Sequence, residues 1–565
     1  MSTSFDTAVI DTALADLTQG EKTWAATSLR RRRELLDELH ELTAREAQAW
    51  VNAARTVKKL DADSPLLGEE WMSGPMTMLA GAKALSESIA ALEQGRSPLD
   101  GVDLEPAPGG RLSVPALPHG IYDKLLLSGF SADVWLRPGV DAATARRKAG
   151  LAQLEPAATN GVGAVLGAGN IMSIAPLDAL YELYANNRVV ALKLNPITDP
   201  LLPVFQTIFA PYIALGLIRI LTGGAAEGGY LVNHPQVAHV HMTGGAPTHD
   251  AIVWGAGEEG AQRKAAGTPA LDKPITSELG GVAPVIVVPG EWSPADLKFQ
   301  AEHVATMRLH NGGYNCVAAQ TVVLAADWPL KQQFLTELRA AIDAAPVRTA
   351  YYPGSDNRVA SALETYPGAA RPNGRVLAEN LPAGDTPLLR TEYFSPVLGV
   401  VELPGTGTEF LGNAVDFAND ELMGTLGANL IADPATIKSL GAALDTAIEN
   451  LRYGTVALNA WTALAFLTPR ATWGAYPGHT IDDIQSGIGV VHNAFLLDDV
   501  ERTVVRGPFR PAPRSLLGGE LSTTPKPPWF INNKTGTGTG QKLTAFYGDG
   551  KLRHLPGIFA SALRG

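Results

Sequence analysis

Residues 28–50 carry the clearest helical pattern of the chain. Leu35 and Leu39 recur at a spacing of four with charged residues on the opposite side, which predicts an amphipathic helix. The basic cluster from Arg30 to Arg33 lies inside this helix. Contact with a polyanion is one interpretation of the cluster, and a solvated helix face beside Glu34 is the favoured one.

Short apolar strands alternate with helical segments in two blocks, 158–289 and 321–459. The predicted strands are 163–167, 188–194, 218–222, 237–242, 283–288, 321–324, 397–403, 425–431 and 455–459. The predicted helices are 176–187, 201–215, 329–344 and 435–450. Strands that alternate with helices are typical of a parallel sheet covered on both faces, so the sequence predicts an α/β fold.

Two stretches rich in proline and glycine interrupt or follow these blocks. Residues 95–118 are predicted to form an extended connection. From Arg510 onward the runs PFRPAPRS, PKPPWF and TGTGTG lack periodicity, which predicts an extended, partly ordered arm.

The composition narrows the class of protein. A chain of 565 residues exceeds what one hydrophobic core organises, so two or three domains are expected. A net charge of −12 argues against general binding of nucleic acid or of an anionic membrane surface. The first residues show no signal-peptide pattern, and no window approaches the roughly 18 apolar residues of a membrane span. A soluble, cytoplasmic protein is therefore expected.

Cys316 is the only cysteine of the chain. One thiol forms neither an internal disulfide nor a multi-thiolate metal site, which leaves packing or nucleophilic chemistry. Asn311, Gly312 and Gly313 precede it, and glycines let a backbone approach a ligand closely. The small residues 317–319 suit the start of a helix, whose N–H groups would lower the thiol pKa.

Several familiar motifs are absent or misleading. Residues 255–260 match the dinucleotide fingerprint G-x-G-x-x-G, but a helix rather than a strand is predicted before them, so we do not expect that role. The run TGTGTG at 535–540 is interpreted as a linker. The sequence lacks H-E-x-x-H, C-x-x-C and G-x-S-x-G, so neither a metal site nor a serine nucleophile elbow is expected.

Polar residues at the ends of apolar strands are the stronger candidates. Glu278 stands before Gly280, at the mouth of an apolar strand, where poor solvation would raise its pKa and suit a general base. Asn170 follows one strand, where its amide can donate a hydrogen bond. Lys193 lies in another strand, where binding a polar ligand would explain a buried cation.

Two further segments carry candidate ligand contacts. Gly244 and Gly245 follow a strand and precede a helix, which suits a phosphate at a helix N-terminus. Glu392 and Phe394 pair a hydrogen-bond acceptor with an aromatic ring.

Taken in order, these segments resemble the aldehyde dehydrogenase superfamily from about residue 20 to about residue 510. The resemblance rests on GAGN at 167–170, VVALKLNP at 189–196, HMTGG at 241–245, SELGG at 277–281, HNGGYNC at 310–316, EYFSPV at 392–397, LGANL at 426–430 and GTVALNAW at 454–461. It implies two Rossmann-like parallel-sheet domains joined by a bridging and oligomerisation element.

The resemblance also implies the domain boundaries. The expected domains are a dinucleotide-binding domain (1–135 and 158–277), a catalytic domain (278–490), a bridging and oligomerisation element (136–157 and 491–525) and an extended C-terminal arm (526–565).

Catalytic roles follow from the same resemblance. Cys316 would be the nucleophile, Glu278 the base, and the Asn170 amide with the Cys316 N–H the oxyanion hole. The family binds NAD or NADP. The cofactor contacts would come from Lys193, Gly244, Gly245, Glu392, Phe394, Ala168 and Leu279.

The chain departs from the family at its cofactor motifs. Ala168 and Gly169 replace a Pro-Trp pair, Pro196 replaces a glutamate, and His249 replaces a glycine. Loss of an acidic residue at 196 removes repulsion against a 2′-phosphate, so NAD and NADP both remain open.

The expected activity is oxidation of an aldehyde to an acid. Transfer of the acyl group to coenzyme A and a non-catalytic homologue are the alternatives. Flanking residues suggest an apolar or aromatic aldehyde: Tyr314, Trp461, Leu464, Phe466 and Leu467. No basic pair for a carboxylate stands out, although Arg470 is a single candidate cation. A homodimer or homotetramer is expected.

Overall fold

Two β-sheets organise the chain, and a computed structural model describes them within residues 6–384 and 386–565. The strands are, in chain order, β1 Glu105–Ala107, β2 Arg111–Leu117, β3 Ser131–Leu136, β4 Val162–Leu166, β5 Val189–Lys193, β6 Ile218–Leu221, β7 Val237–Gly244, β8 Ile275–Leu279, β9 Ala283–Val287, β10 Ala319–Ala325, β11 Ala370–Arg371, β12 Arg375–Leu381, β13 Val397–Leu403, β14 Gly427–Ile431, β15 Thr455–Leu458, β16 Thr472–Gly474, β17 Gly487–Ile488, β18 Val490–His492 and β19 Val500–Arg506.

Helices cover the sheets and form the two ends of the chain. They are α1 Ala8–Ala26, α2 Leu29–Val57, α3 Leu67–Trp71, α4 Thr77–Glu93, α5 Ile121–Leu126, α6 Ala142–Lys148, α7 Ile174–Asn186, α8 Leu202–Ile208, α9 Ala210–Ala214, α10 Ala225–Asn233, α11 Ala246–Val253, α12 Gly257–Ala266, α13 Pro294–Leu309, α14 Lys331–Ala344, α15 Ser355–Thr365, α16 Pro387–Arg390, α17 Gly407–Asp420, α18 Pro434–Leu440, α19 Ala442–Asn450, α20 Ala463–Leu467, α21 Arg514–Leu517, α22 Gly536–Asp549 and α23 Leu555–Ala562. Each helix in the described part of the chain is too short or too polar to traverse a lipid bilayer.

The smaller sheet has six strands in the order β17-β8-β7-β4-β5-β6. Five of its strands are parallel to one another: β8, β7, β4, β5 and β6. The sixth strand, β17, pairs antiparallel with β8. Leu166 pairs with Lys193, and Gly244 with Leu279, so the carboxyl ends of four strands share one edge. Ligands of open α/β sheets bind at such an edge.

The larger sheet has eleven strands in the order β1-β2-β3-β19-β15-β14-β9-β10-β13-β12-β11. Seven central strands from β19 to β12 are parallel, and the flanking strands are antiparallel. Ala283 of β9 pairs with Ala319 of β10. Glu278 shortly precedes β9 and Cys316 shortly precedes β10, so both reach the same end of this sheet.

Two sheets with parallel strands are present as predicted, but the strand predicted at 283–288 in the first block is β9 of the larger sheet. Two predicted helices are interrupted. The helix expected at 201–215 divides at Phe209 into α8 and α9, because Pro211 opens the second helix. The helix expected at 435–450 divides at Gly441, whose φ of +51° lies outside the helical region.

The expected extended connection at 95–118 contains strands β1 and β2. Together with β3 they continue the larger sheet through β19 of the same chain. Strands that lie in or beside the segments assigned to dinucleotide binding and to oligomerisation therefore pair with each other within one chain. The expected homodimer or homotetramer stays a prediction.

The prediction of an extended C-terminal arm is wrong for much of its length. Residues 535–540, interpreted as a linker, instead lead into helix α22, and α23 follows. The glycines allow close packing rather than flexibility. A Cβ on Gly540 would lie 3.1 Å from the Cβ of Trp71 and 3.2 Å from the carbonyl oxygen of Gly68, so α22 packs tightly on α3.

The basic cluster on α2 is only partly a solvated face. Arg30, Arg31 and Arg33 form ion pairs with neighbouring acidic side chains at the surface. Arg32 is fully buried and donates to Gln153 Oε1 at 2.8 Å and to Asn187 Oδ1 at 2.9 Å. A buried guanidinium needs such acceptors, and Arg32 thereby joins α2 to the end of α7.

Candidate active site

Cys316 lies in a turn between the 3₁₀ turn His310–Gly313 and strand β10. The helix expected after the cysteine is therefore absent from this described segment, and β10 begins at Ala319 instead. The carboxyl of Glu278 approaches from the end of β8, close enough to the thiol for each group to shift the pKa of the other. The turn thus joins the ends of both sheets.

The pKa of Cys316 is raised well above its usual value, contrary to the prediction of a lowered one. Burial is the largest cause, and the negative charge of Glu278 and its hydrogen bond add to it. Glu392 acts in the same direction. A thiolate beside two carboxyl groups is unfavourable, so the thiol keeps its proton unless Glu278 accepts it.

Burial raises the pKa of Glu278 to about 7, which confirms the predicted direction. Hydrogen bonds from Cys316 and Trp473 oppose that rise. Its Oε1 is buried and has no hydrogen-bond partner among the described residues. A carboxyl with a pKa near neutrality and a vacant acceptor oxygen is suited to take a proton from a thiol or from water.

Glu392 completes a cluster of three ionisable groups. Burial and the nearby charge of Glu278 together raise its pKa to about 8, against the opposing effect of Arg308. Its carboxylate packs directly on Gly280, where a Cβ would overlap it. Glycine at 280 is therefore required by contact with Glu392.

Asn170 lies on the wall of the cavity beside Cys316. Its Nδ2 donates to the carbonyl oxygen of Tyr314 at 3.0 Å, and the second N–H of the amide is left for another acceptor. Asn311 holds the same loops together, because its Nδ2 donates to the carbonyl oxygens of Asn170 and Tyr314, both at 3.1 Å. Asn311 has a φ of +54°, in the left-handed region that asparagine tolerates.

A buried ionic network supports this loop from behind. Glu69 Oε2 accepts from the Asn311 N–H at 3.1 Å, and Arg348 lies 2.7 Å from the same carboxylate. Lys58 and Glu70 form a second buried pair at 2.8 Å. Sequence reasoning missed these residues, because no motif links positions so far apart. Removing one partner of such a pair would leave an uncompensated buried charge.

An apolar cavity with an empty volume of about 660 Å³ opens beside Cys316. Four of the five predicted flanking residues line it: Trp461, Leu464, Phe466 and Leu467. Tyr314 is not among the lining residues, because its hydroxyl donates to Ser355 at 2.8 Å and its ring packs on Tyr351. Trp529, from the C-terminal arm, lines the cavity without any sequence signal.

The predicted cofactor residues divide between two places. Lys193 ends β5, while Gly244 ends β7 and Gly245 precedes α11, so these three share the carboxyl edge of the smaller sheet. Burial lowers the pKa of Lys193. Glu392 and Phe394 lie instead in the segment before β13.

The remaining cofactor candidates are buried or strained. Ala168 and Leu279 lie in the two hydrophobic cores. Phe394 has a φ of +42° and packs edge-on against Tyr352 at 4.9 Å between ring centroids. The segment 255–260 follows α11 and runs into the first turn of α12, which confirms that it does not follow a strand.

Asp199 adds an acidic group that sequence reasoning overlooked. Its charge attracts Lys193, although burial raises the pKa of Asp199. Its Oδ1 is buried with no hydrogen-bond partner in the described residues. Asp199 therefore restores an acid close to Lys193, where Pro196 had suggested that none was present.

Comparison with known proteins agrees with this architecture. Residues 154–357 match the model of the aldehyde dehydrogenase family. D-glyceraldehyde dehydrogenase (NADP(+)) of Picrophilus torridus is 23% identical over 273 residues, 44% of this chain and 50% of that protein. Betaine aldehyde dehydrogenase 1 of Rhizobium meliloti is 32% identical over 130 residues, 23% of each protein.

Similarity of fold extends over more of the chain. The NADP complex of an NADP-dependent glyceraldehyde-3-phosphate dehydrogenase from Bacillus halodurans superimposes with a TM-score of 0.59 and 16% identity, over 88% of this chain and 91% of that one. Over residues 154–357 the chain therefore resembles the aldehyde dehydrogenase family in sequence, and over most of its length it shares the fold of that solved dehydrogenase. In sequence it spans half or less of the length of the two curated relatives that it matches.

The influence of Glu278 on the thiol is directly testable, since alkylation by iodoacetamide reports only Cys316. Glu278→Gln removes a negative neighbour, so we expect the alkylation rate at pH 8 to rise about threefold to tenfold, because thiolate is the reacting form. Glu291→Gln, at an exposed position, is the matched control and is expected to leave the rate unchanged. Equal rates in both variants would contradict the electrostatic coupling.

Proposed function

We propose that the chain oxidises an aldehyde to a carboxylic acid with NAD or NADP as the electron acceptor. The observation that carries this proposal is the Glu278 carboxyl beside the Cys316 thiol at an apolar cavity, with the Asn170 amide on the cavity wall. A nucleophile, a base and a hydrogen-bond donor for an oxyanion are the groups that acyl chemistry needs.

Glu278 takes the thiol proton as the Cys316 sulfur adds to the aldehyde carbon. The second N–H of Asn170 donates to the oxygen that becomes negative, and loss of such a donor costs about 10²–10³ in rate. After oxidation the acyl group is held on sulfur as a thioester. Glu278 releases the thiol proton to solvent and then removes a proton from a water molecule, whose oxygen attacks the thioester carbon. The C–S bond breaks, the carboxylic acid leaves, and the sulfur takes the proton back from Glu278.

The residues present fit a nicotinamide dinucleotide. The buried Glu392 Oε1 has no partner among the described residues and suits a ribose hydroxyl. Lys193 and Asp199 would hold the adenosine ribose, and Gly244 with Gly245 would border the phosphates. When bound, the dinucleotide supplies the hydride acceptor. Phe394 would contact its nicotinamide end.

The position of Glu278 favours hydrolysis over transfer to coenzyme A. A base with a pKa of about 7 beside the thiol serves water activation, which transfer to a second thiol does not require. The same pair argues against a non-catalytic homologue, because a structural role does not need a buried acid beside a lone thiol.

The test of this function combines one variant with a pH profile. Wild type is expected to reduce NAD or NADP in the presence of an aldehyde, and Cys316→Ala is expected to lose the activity. Below a pH of about 7 Glu278 is protonated and inactive as a base, so thioester hydrolysis should rise about tenfold per pH unit and level off above that value. The rate of acid release after rapid mixing measures it.

Two outcomes would contradict this function. One is substantial turnover by Cys316→Ala. The other is a hydrolysis rate that stays flat between pH 5 and pH 8 in wild type, since about 7 is the pKa of the proposed base.

The position of Asp199 near Lys193 predicts which of the two dinucleotides binds more tightly. An acid beside the adenosine ribose accepts hydrogen bonds from its hydroxyls and repels a 2′-phosphate, so we expect NAD to bind more tightly than NADP. Asp199→Asn should shift the ratio of the two dissociation constants towards NADP by about tenfold, about 1.4 kcal/mol. Titration calorimetry measures both constants.

Asp272→Asn is the matched control, because that aspartate is exposed. An unchanged ratio of NAD to NADP affinity in Asp199→Asn would exclude the proposed contact.

A further inference from the structure

The C-terminal arm is docked firmly on the helices that precede the active-site cavity. The Gly68 N–H donates to Thr537 Oγ1 at 3.1 Å, and the imidazole of His40 lies 2.9 Å from the carbonyl oxygen of Tyr547. Lys526 forms an ion pair with Glu302 at 2.8 Å. Contacts with α2, α3 and α13 therefore fix the arm beside the site.

A second cavity lies between the arm and the rest of the chain. Its empty volume is about 1360 Å³, larger than the cavity at Cys316. The arm contributes Trp529, Leu543, Tyr547, Ile558 and Ala562 to its wall.

Four side chains line both cavities: Met72, Leu464, Leu467 and Trp529. The two cavities therefore adjoin each other at these four residues. Met72 lies in the π-helical turn Met72–Met76, and an unbranched methionine adapts its shape easily. A π-helical turn at this position matches the frequent occurrence of such turns at functional sites.

The charged side chains on the wall of the second cavity have partners within the protein. Arg470, the candidate cation of the sequence, pairs with Glu87. Lys83 lies 3.9 Å from the same carboxylate. The Asp123 carboxylate accepts from the backbone N–H of His119 at 2.9 Å. A carboxylate-bearing substrate would have to displace these partners, whereas an uncharged apolar chain would not.

We propose that the substrate is an aldehyde with a long, uncharged apolar chain. Its carbonyl lies at Cys316, and its chain passes between Met72 and Leu467 into the second cavity beneath the arm. The placement of the aldehyde carbonyl at Cys316 rests on the proposed function. The arm is then a part of the substrate site that this chain adds beyond the region resembling the family.

The test narrows the second cavity from the arm. Ala562 of α23 lines the cavity, while Ala560 of the same helix is exposed and does not. Ala562→Trp is expected to lower the ratio of kcat/KM for decanal to that for propanal at least tenfold. Ala560→Trp, the matched control, should leave that ratio unchanged. Ala562→Leu, a smaller obstruction, should shift it in the same direction by less.

A binding measurement separates this proposal from the proposed function. 1-Decanol is uncharged and offers no aldehyde, so its affinity by titration calorimetry does not depend on turnover. Wild type and Ala560→Trp should bind it equally, and Ala562→Trp at least tenfold more weakly. If no aldehyde is oxidised but this pattern of 1-decanol affinity appears, the proposed function fails and the apolar site stands. Equal 1-decanol binding by all three proteins, or an equal loss for decanal and propanal in Ala562→Trp, would overturn the site.

Discussion

The burial of two carboxyl groups beside one thiol is the constraint on which the site depends. Cys316, Glu278 and Glu392 share a poorly solvated space, and each raises the cost of charging another. Three negative charges in this cluster at neutral pH would be energetically unfavourable. Transfer of the thiol proton to Glu278 moves one negative charge from the carboxylate to the sulfur and adds none. Such a transfer suits a thiol that ionises only as it reacts.

The fold creates that constraint by bringing two sheets together at their ends. Strand β8 delivers Glu278 from the smaller sheet, and the turn before β10 delivers Cys316 from the larger one. The loop around Asn311 fixes Asn170 to Tyr314, and the buried pair of Glu69 and Arg348 holds that loop from behind. Such a network is stable only while each member keeps its partner, so the geometry around the thiol is rigid.

The sequence allowed prediction of those features that depend on local pattern. Continuous apolar runs located the strands because both faces of these sheets are covered, and the strand ends located Asn170, Lys193 and Glu278. The direction of the Cys316 pKa shift was wrong, because its flanking residues do not reveal two acids that arrive from distant segments. Arg32 is likewise indistinguishable by sequence pattern from the three surface arginines of its cluster. Its guanidinium is nevertheless buried and donates to Asn187 at the end of α7.

Glycine-rich composition was also misleading in the C-terminal arm. The run at 535–540 suggested flexibility, yet small residues there permit close contact with α3, and the arm places Trp529 on the wall of the active-site cavity. Contacts of this kind join positions more than 400 residues apart, as between Gly68 and Thr537, and they leave no local periodicity. The arm is thus a structural part of the site rather than an appendage.

Intact-mass spectrometry of Glu278→Gln most directly tests the central claim that Cys316 carries the acyl group and Glu278 releases it. The variant would be mixed with propanal and NAD or NADP, quenched in acid and weighed, with the single thiol located by peptide mapping. The account predicts one acyl group per chain on Cys316 in Glu278→Gln and little accumulation in wild type. An unmodified Cys316 in a variant that still consumes the aldehyde, or an acyl group on another residue, would contradict it.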